Sequence, residues 1–418
     1  FTLKLYVKEN DFIEAINNVV LAVSNFLYQP FILPVILLVG GLYFTIRTGG
    51  VQIRMFRDCL RVVTEKPKTE NGISSFGALM VSTASRVGTG NIIGVATAVI
   101  CGGSGAIFWM WLSAFLGGAS AFIESTLAQI YKKKNADGSS YGGPAFYMRD
   151  ALNARWLGVI FSVLIIFTYA IGYNMLAAFN LQSTFKVFSF YGDRTPAIIG
   201  VILAALFGAV VIGGAHRLVK VTGVLVPVMG IIYVAISLIV LVLNIGNVPA
   251  MFAGIFKNAF DFQAIFGGFA GSCIMFGIKR GLYSNEAGMG SAPNAAATAD
   301  VSHPVKQGLV QMLSVFIDTM LICTATAFMC LSTNVIPQNY LGADGSADAA
   351  GYVQAATAST LGKFGPIFIA FAMCLFAFTT LIGNYSYCEG CIRFIIQRDI
   401  KPGELLAFRL FATALVFV

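Results

Sequence analysis

The stretch that decides the fold reads Ser85-Arg86-Val87-Gly88-Thr89-Gly90-Asn91-Ile92-Ile93-Gly94. It interrupts an otherwise apolar segment that runs from about Phe76 to Ile100. Glycines and polar side chains stand where a helix that crosses a membrane should be most regular. Glycine costs about 1 kcal/mol in a helix interior, and an unpaired backbone group in hydrocarbon costs several times more. We therefore expect a broken helix whose free backbone groups are buried in protein or line a watery cavity.

The composition is that of a membrane protein. Of the 418 residues, 57% are hydrophobic and only 11% are charged, and the mean hydropathy is +0.80. Soluble chains are about 25% charged. Many apolar windows of about 20 residues favour helices over the short alternating strands of a barrel. The sequence therefore predicts an all-α polytopic membrane protein.

Ten apolar segments are predicted to cross the membrane. They lie at about 31–45, 75–100, 106–130, 157–185, 196–213, 222–244, 263–279, 308–331, 366–386 and from 405 onward. Lys and Arg cluster in alternate connections, beginning with six between 47 and 68. Because positively charged loops stay in the cytoplasm, this pattern predicts a multi-pass protein of the cell membrane with its N-terminus outside. The net charge of +8 thus reflects topology, and no nucleic-acid partner is expected.

A second glycine-rich interruption runs from Gly267 to Gly281. Each interruption opens a group of spans, but the first broken span enters from the inside and the second from the outside, so the two groups must be inverted. A pair of broken spans in corresponding halves marks the binding site of a transporter. The predicted regions are a tail with a surface helix (1–29), an extra span with a basic loop (30–72), a first five-span repeat (73–246) and an inverted repeat (247–418).

The inverted-repeat plan requires two groups of five spans. After the extra span and the first group, the sequence supplies the first three spans of the second group and the beginning of a fourth. We therefore expect the final transmembrane helix to be missing from this chain.

The broken helix should bind ions through its backbone. One half exposes N–H groups and the other exposes carbonyl groups, with partial charges of about +0.5 and −0.5. The amides of Thr89, Gly90 and Asn91 are therefore predicted to hold a carboxylate. Carbonyls near Ala84 and Val87 are predicted to hold a cation. Close packing of helices through small residues is the alternative explanation of the glycines.

The second interruption is predicted to complete the same site. Ser272 and the carbonyls of Gly268 and Gly271 are expected to meet an ammonium group, and Phe276 is expected to form a wall. Carbonyls at the free end of a half-helix suit a cation.

A charged gate is predicted on the cytoplasmic side of the two interruptions. Glu286 is expected to pair with Arg280, and Arg86 is expected to join this gate through Asp318 or Glu124. Charges within spans are functional by default and are normally paired. An ordinary ion pair at a helix end, which contributes little, explains Glu286 equally well, and a purely structural pair explains Arg86 equally well.

Three blocks of the sequence resemble the alanine or glycine:cation symporter family. They are V-G-T-G-N at 87–91 followed by G-V-A-T at 94–97, F-W-M-W at 108–111, and K-R-G-L-Y-S-N-E-A-G-M-G-S-A-P at 279–293. The resemblance runs from about residue 30 to the end of the chain. It implies a LeuT-type 5+5 inverted repeat with one extra N-terminal transmembrane helix. It also implies the sodium-coupled import of a small neutral amino acid, with alanine or glycine as first candidates.

The resemblance further places a sodium (Na+) site on Thr379 and Thr380, together with Ala84 and Val87. Adjacent hydroxyl groups within a span offer the oxygen ligands that a hard cation needs. Hydrogen bonds from the threonines back to their own helix are the alternative.

Two further residues are predicted to contact the substrate and leave its identity open. Asn174 and Asn384 are the candidates, but family members often carry Trp at the position of Asn384 and Gln at the position of Ala177. Because pocket volume and polar partners decide specificity, a glutamine-type specificity stays possible. The expected partners are a small neutral amino acid, sodium and the lipid bilayer, and the protein is expected to be a monomer.

Other functions fit the sequence less well. A proton-coupled carrier or exchanger is the first alternative. An ion channel would need a repeated carbonyl filter or a charged ring, and an enzyme would need a nucleophile with its base or a metal set. The pair Cys388-x-x-Cys391 has no second pair or nearby His and is interpreted as two small core residues. The glycine spacing at 88–94 does not match a dinucleotide-binding motif.

Overall fold

The computed structural model describes residues 17–24, 26–27, 32–67, 69, 72–135, 138–261, 273–343, 345–396 and 402–417. These residues form helices joined by short connections, with one small antiparallel hairpin of Lys133–Lys134 against Ser140–Tyr141. Residues 17–24 are helical and largely exposed, and the membrane-surface location predicted for this helix stays a prediction.

The helices of the first half lead from the extra span into the first group. They are α1 (Ile32–Arg47), α2 (Val51–Arg54), α3 (Phe56–Val63), α4 (Ser75–Arg86), the π-helix π1 (Gly90–Gly94), α5 (Val95–Gly102), α6 (Ala106–Ile130), α7 (Pro144–Leu152), α8 (Arg155–Ile166), π2 (Phe167–Gly172), α9 (Tyr173–Thr184), α10 (Thr195–Val211), α11 (Gly214–Leu243) and α12 (Val248–Ala259).

The helices of the second half follow the same naming. They are α13 (Cys273–Asn285), α14 (Ala292–Ala296), α15 (Pro304–Val315), π3 (Phe316–Cys323), α16 (Thr324–Leu331), α17 (Ala349–Leu361), α18 (Phe364–Ile396) and α19 (Pro402–Phe417). Short 3-10 helices lie at Phe185–Val187, Ile245–Asn247 and Pro337–Tyr340.

Several helices are long and apolar enough to cross a membrane. Among the described residues there are five of them, namely Ala106–Ile130, Arg155–Val187, Gly214–Leu243, Pro304–Leu331 and Phe364–Ile396. The two halves of the interrupted span, Ser75–Arg86 and Gly90–Gly102, pass the same test together and are bent by 53°. The predicted break is therefore confirmed, and the helices support a multi-pass membrane protein.

Three helices extend beyond the predicted spans. α11 begins at Gly214 rather than at 222, α13 continues to Asn285 rather than ending at 279, and α18 continues to Ile396 rather than ending at 386. Arg217 and Arg393 therefore lie on helices and not in loops. The long stems of Lys and Arg allow a helix to continue while the charges reach an aqueous boundary, so the first cation after an apolar run is a poor marker of the helix end.

The order of elements occurs twice along the chain. The interrupted span is followed by the long α6, the short α7 and the long α8–α9, and α13 is followed by the long α15–α16, the short α17 and the long α18. Each short helix packs against the long helix after it, and α6 packs against α15. This order agrees with a repeated architecture, while the exact repeat boundaries stay a prediction.

Close contact between α6 and α15 depends on Gly308. A β carbon on Gly308 would lie 2.6 Å from the carbonyl oxygen of Phe122 on α6. We expect Gly308→Ala to lower the free energy of unfolding by about 1–3 kcal/mol, because overpacking forces the helices apart. Thermal unfolding in detergent measures this loss. Gly246→Ala is the matched control, since no atom lies within 4 Å of its β-carbon position. Equal unfolding temperatures for the two variants would contradict the prediction.

Candidate functional site

The break in the first span is held open by side-chain hydrogen bonds. The N–H of Val87 still donates to the carbonyl of Thr83, at 2.7 Å, as in a helix. The N–H of Gly88 instead donates to Oδ1 of Asn91, also at 2.7 Å. The carbonyl of Ala84 therefore loses the donor that a continuous helix would supply. This is the carbonyl that the sequence predicted as a cation ligand.

Asn91 differs from its predicted role. Its own N–H donates to the carbonyl of Gly88 at 3.1 Å, so this amide is not available to a carboxylate. Its side chain is also engaged, since Nδ2 donates to Oδ1 of Asp318 at 2.6 Å. Asn91 therefore shapes the break and ties it to π3. The amides of Thr89 and Gly90 stay as the candidates for carboxylate binding.

A small cavity of about 20 Å3 lies at the break. Its walls are Ser85, Arg86, Gly88, Thr89, Gly90, Tyr173, Ala177, Tyr283, Ser284, Glu286 and Thr380. Five of the predicted site residues are therefore brought together here, on three different spans. A single water molecule needs at least about 10–15 Å3. In this conformation the cavity is therefore too small to hold an amino acid.

Tyr283 lies between this small cavity and a larger one, and Tyr173 packs against its ring. The rings of Tyr173 and Tyr283 meet edge to face, with their centroids 5.2 Å apart. Tyr283 and Gly90 line both cavities. A β carbon on Gly90 would lie 2.8 Å from the Tyr283 ring, so glycine is needed for the ring to close over the break.

The larger cavity has a volume of about 350 Å3 and reaches the connection that precedes α17, at Gly345 and Ala347. Phe276 and Arg280 line this cavity and do not line the small one. Phe276 therefore forms a wall of the larger cavity, which Gly90 of the break also lines, and its contact with the substrate stays a prediction.

The predicted gate of Arg86, Arg280 and Glu286 is divided between two cavities. Arg86 and Glu286 lie at the small cavity, and Arg280 lies at the larger one. The reason is that α13 continues for six residues beyond its predicted end at 279. Glu286 therefore lies about 9 Å from Arg280 along the helix axis.

The two threonines of α18 have different environments. Oγ1 of Thr379 donates to the carbonyl of Leu375, at 2.9 Å, within its own helix. Oγ1 of Thr380 is buried and has no hydrogen-bond partner among the described residues, and a β carbon on Gly88 would overlap it. A hydroxyl oxygen without a partner among the described residues thus faces Gly88, four residues after Ala84, whose carbonyl has lost its helical donor. This arrangement suits a hard cation.

The close approach of α18 to the break depends on Gly383. A β carbon there would lie 2.7 Å from Cα of Ser85. Ala84 and Val87 are almost fully buried beside it. Glycine at this position therefore brings the Thr380 side chain within reach of the interrupted span.

Asn174 and Asn384 lie behind the small cavity and are not among the residues that line it. Nδ2 of Asn384 donates to Oδ1 of Asn174 at 2.9 Å, and Nδ2 of Asn174 donates to the carbonyl of Ala170 at 3.2 Å. Ser85 in turn donates to Oδ1 of Asn384 at 2.7 Å. The two asparagines therefore position Ser85, whereas Ala177 lines the cavity itself.

The predictions for Gly268, Gly271 and Ser272 lie outside the described residues. From Cys273 to Gly281 the predicted second interruption is instead a continuous helix, the first part of α13. α13 packs against π1. Ser284 and Tyr283 of α13 reach the small cavity. Sequence reasoning did not assign Tyr283 a role, although its position directly before Ser284 in the most distinctive block was a usable signal.

Buried carboxylates surround Arg86. Glu124, Glu286 and Asp318 all lie within electrostatic range of its guanidinium group. In the described part of the chain, no direct ion pair includes Arg86. Its Nη1 donates to the carbonyl of Gln311 at 3.2 Å instead. The expected direct pairing of Arg86 with Asp318 or Glu124 is therefore absent.

The carboxylates are held by other donors. Glu124 accepts the N–H groups of Gly288 and Gly290 at 3.3 and 3.1 Å. Asp318 accepts from the hydroxyls of Ser284 and Thr319 at 2.9 and 2.8 Å, besides Asn91. Glu124 thereby links α6 to the connection after α13, and Asp318 links π3 to α13 and to the break.

Comparisons with known proteins identify the family and the fold of this chain. Residues 13–418 match the profile of the sodium:alanine symporter family. The amino-acid carrier protein AlsT of Bacillus subtilis is 46% identical over 361 residues, which are 86% of this chain and 75% of that protein. The probable sodium/glutamine symporter GlnT of the same organism is 44% identical, over 90% of this chain and 77% of that protein.

A solved structure shows the same fold. The crystal structure of MhsT in complex with L-phenylalanine superimposes with a TM-score of 0.52 at 15% sequence identity, covering 84% of this chain and 80% of that chain. The predicted LeuT-type fold is thereby confirmed. The chain therefore belongs to the sodium:alanine symporter family, and it is a multi-pass membrane protein that carries an amino acid together with sodium.

Proposed function

We propose that this protein imports a small neutral amino acid, alanine or glycine, with sodium by alternating access. The observation that carries this proposal is the buried hydroxyl of Thr380, which has no partner among the described residues and faces the interrupted span beside a very small cavity. The hydroxyl places the proposed cation site at the same break as the proposed substrate site.

The walls of the small cavity favour a small side chain. Gly88, Gly90 and Ala177 add little volume, and the rings of Tyr173 and Tyr283 close over them. The carboxylate of the substrate is assigned to the amides of Thr89 and Gly90, where π1 and α5 begin and the helix dipole is positive. A larger substrate would have to displace the tyrosine rings.

The sodium ion is assigned to the carbonyls of Ala84 and Val87 and the hydroxyl of Thr380. The carbonyl of Ala84 has lost its helical donor, and the hydroxyl has none among the described residues. Thr379 stabilises α18 through its bond to Leu375. Of the two predicted threonines, Thr380 is therefore the proposed ligand.

Alternating access requires the small cavity to open to each side in turn. The connection that precedes α17 is predicted to lie outside, so the larger cavity is assigned to the outer side. Arg280 lines this cavity and not a cytoplasmic gate, and its charge attracts the carboxylate of an arriving substrate. The rings of Tyr173 and Tyr283 must separate to admit it. One sodium ion that enters down 100 mV releases about 2.3 kcal/mol, and a tenfold gradient adds about 1.4 kcal/mol. Together they support a roughly few-hundredfold accumulation of a neutral zwitterion.

The substrate is tested by uptake of labelled alanine into proteoliposomes with and without a sodium gradient. We expect sodium-dependent uptake that unlabelled alanine and glycine inhibit strongly, and glutamine inhibits weakly because its side chain exceeds the cavity. Glutamine as the strongest competitor would indicate the alternative specificity. Uptake that persists without sodium and follows a pH gradient would replace sodium by protons as the driving ion.

Variants of Thr380 test the proposed sodium ligand, and a variant of the neighbouring Thr379 is the control. Thr380→Ala should raise the sodium concentration for half-maximal uptake about tenfold or more, since it removes one oxygen from a charged ligand. Thr380→Ser keeps that oxygen and should restore most of the affinity.

Thr379→Ala is the matched control, because its hydroxyl is bonded within α18. Its sodium activation curve should coincide with that of the wild type. Identical curves for Thr380→Ala and the wild type would remove the proposed sodium site.

A further inference from the structure

Glu286 lies at the end of α13, beside the break in the first interrupted span. It directly follows α13, only 2% of its surface is exposed, and its backbone has a φ of 53°, a conformation uncommon for a residue other than glycine. Oε2 accepts a hydrogen bond from the hydroxyl of Ser291 at 2.7 Å. Oε1 lies 3.2 Å from the hydroxyl oxygen of Ser85.

The donor and acceptor of each hydrogen bond around Ser85 follow from the bond between Asn174 and Ala170. Nδ2 of Asn174 donates to the carbonyl of Ala170, so Oδ1 of Asn174 must accept from Nδ2 of Asn384. Oδ1 of Asn384 then faces Ser85 at 2.7 Å and can only accept. The single hydroxyl hydrogen of Ser85 is therefore used in the bond to Asn384.

The contact between Ser85 and Glu286 needs a second hydrogen. An ionised carboxylate has none and would place two oxygen lone pairs against each other at 3.2 Å. A protonated Glu286 supplies the hydrogen from Oε1 and completes the chain Glu286–Ser85–Asn384–Asn174. Every member of this chain is buried.

The charges around Glu286 favour the same state. The titratable and charged groups that face it are Arg86 on α4, Glu124 on α6, Asp318 on π3, Tyr169 on π2, Tyr387 on α18 and Tyr283 on α13. Arg86 is the one cation in this set, and Glu124 and Asp318 are two other buried carboxylates. With all three carboxylates ionised, the cluster would carry two uncompensated negative charges away from water, which is strongly unfavourable. A proton on Glu286 removes one of them.

We propose that Glu286 is a proton-binding site, and that its proton completes the buried hydrogen-bond chain joining α4, α18 and α9 in the closed conformation. Binding forms one O–H bond on Oε1, with the proton supplied by water at acidic or neutral pH, and breaks no bond within the protein. Loss of the proton leaves Ser85 with one hydrogen for two acceptors. The closed conformation is then weakened, and uptake falls as the pH rises.

Infrared spectroscopy tests the proton directly, whether or not the substrate has been assigned correctly. The wild-type protein in lipid is brought from neutral to alkaline pH, and the difference spectrum is recorded in the carboxylic-acid C=O region. We expect a band that is lost on alkalinisation and is absent in Glu286→Gln. Glu65→Gln is the matched control, because Glu65 is partly exposed in an ion pair with Lys306 at 2.6 Å, and it should keep the band. A band that persists in Glu286→Gln overturns the proposal.

The infrared spectrum of Ser85→Ala provides a second test, which does not depend on whether Glu286→Gln folds. It removes the acceptor of the proposed bond while Glu286 stays intact, so the band of the wild type should shift in frequency. An unshifted band shows that no proton lies between Glu286 and Ser85 and overturns the proposal.

The pH profile of sodium-driven uptake completes the test. Above its midpoint the wild type should lose activity about tenfold per pH unit, in proportion to the protonated fraction. Glu286→Gln keeps a donor at this position and should show a flat profile over the same range, while Glu65→Gln should follow the wild type. A lower Hill coefficient for sodium in Glu286→Gln with an unchanged pH profile would assign the site to a sodium ion and overturn the proposal.

Discussion

The structure depends on one redirected hydrogen bond. Inside a membrane each backbone group must find a partner within the protein, and at the break the N–H of Gly88 finds it in the side chain of Asn91. The carbonyl of Ala84 is released by this exchange. The other features of the site follow from the space so created, since Gly383 lets α18 approach the break and Gly90 lets the ring of Tyr283 cover it. A single side-chain amide therefore shapes the helix interruption at which the binding site is proposed.

The sequence predicted the break and the five long apolar helices of the described residues, because both follow from local rules. Glycines and polar residues within an apolar run have few structural explanations in a bilayer. The sequence could not distinguish Thr379 from Thr380, because the two are adjacent and only the packing of α18 against Gly88 decides which hydroxyl faces the break. It also placed Arg280 with Glu286, because the end of α13 at Asn285 is determined by tertiary contacts and not by the first charge in the sequence.

The role of Asn91 shows a further limit of local reasoning. A residue just after two glycines is a natural candidate for a free amide. In the structure this amide bonds to Gly88, and its side chain joins the break to Asp318. Long-range partners of this kind, more than two hundred residues apart, carry no signal in a single sequence. The buried charges around Arg86 are of the same type, since each carboxylate comes from a different span.

The shared position of Tyr283 has a consequence for energy conversion. One ring forms part of the wall of both cavities, so a displacement that widens one compartment moves this wall into the other. Opening one compartment therefore tends to close the other, and the Tyr283 side chain disfavours a continuous aqueous path between the two cavities. A shared partition of this kind limits slippage, in which the ion gradient is dissipated without useful work.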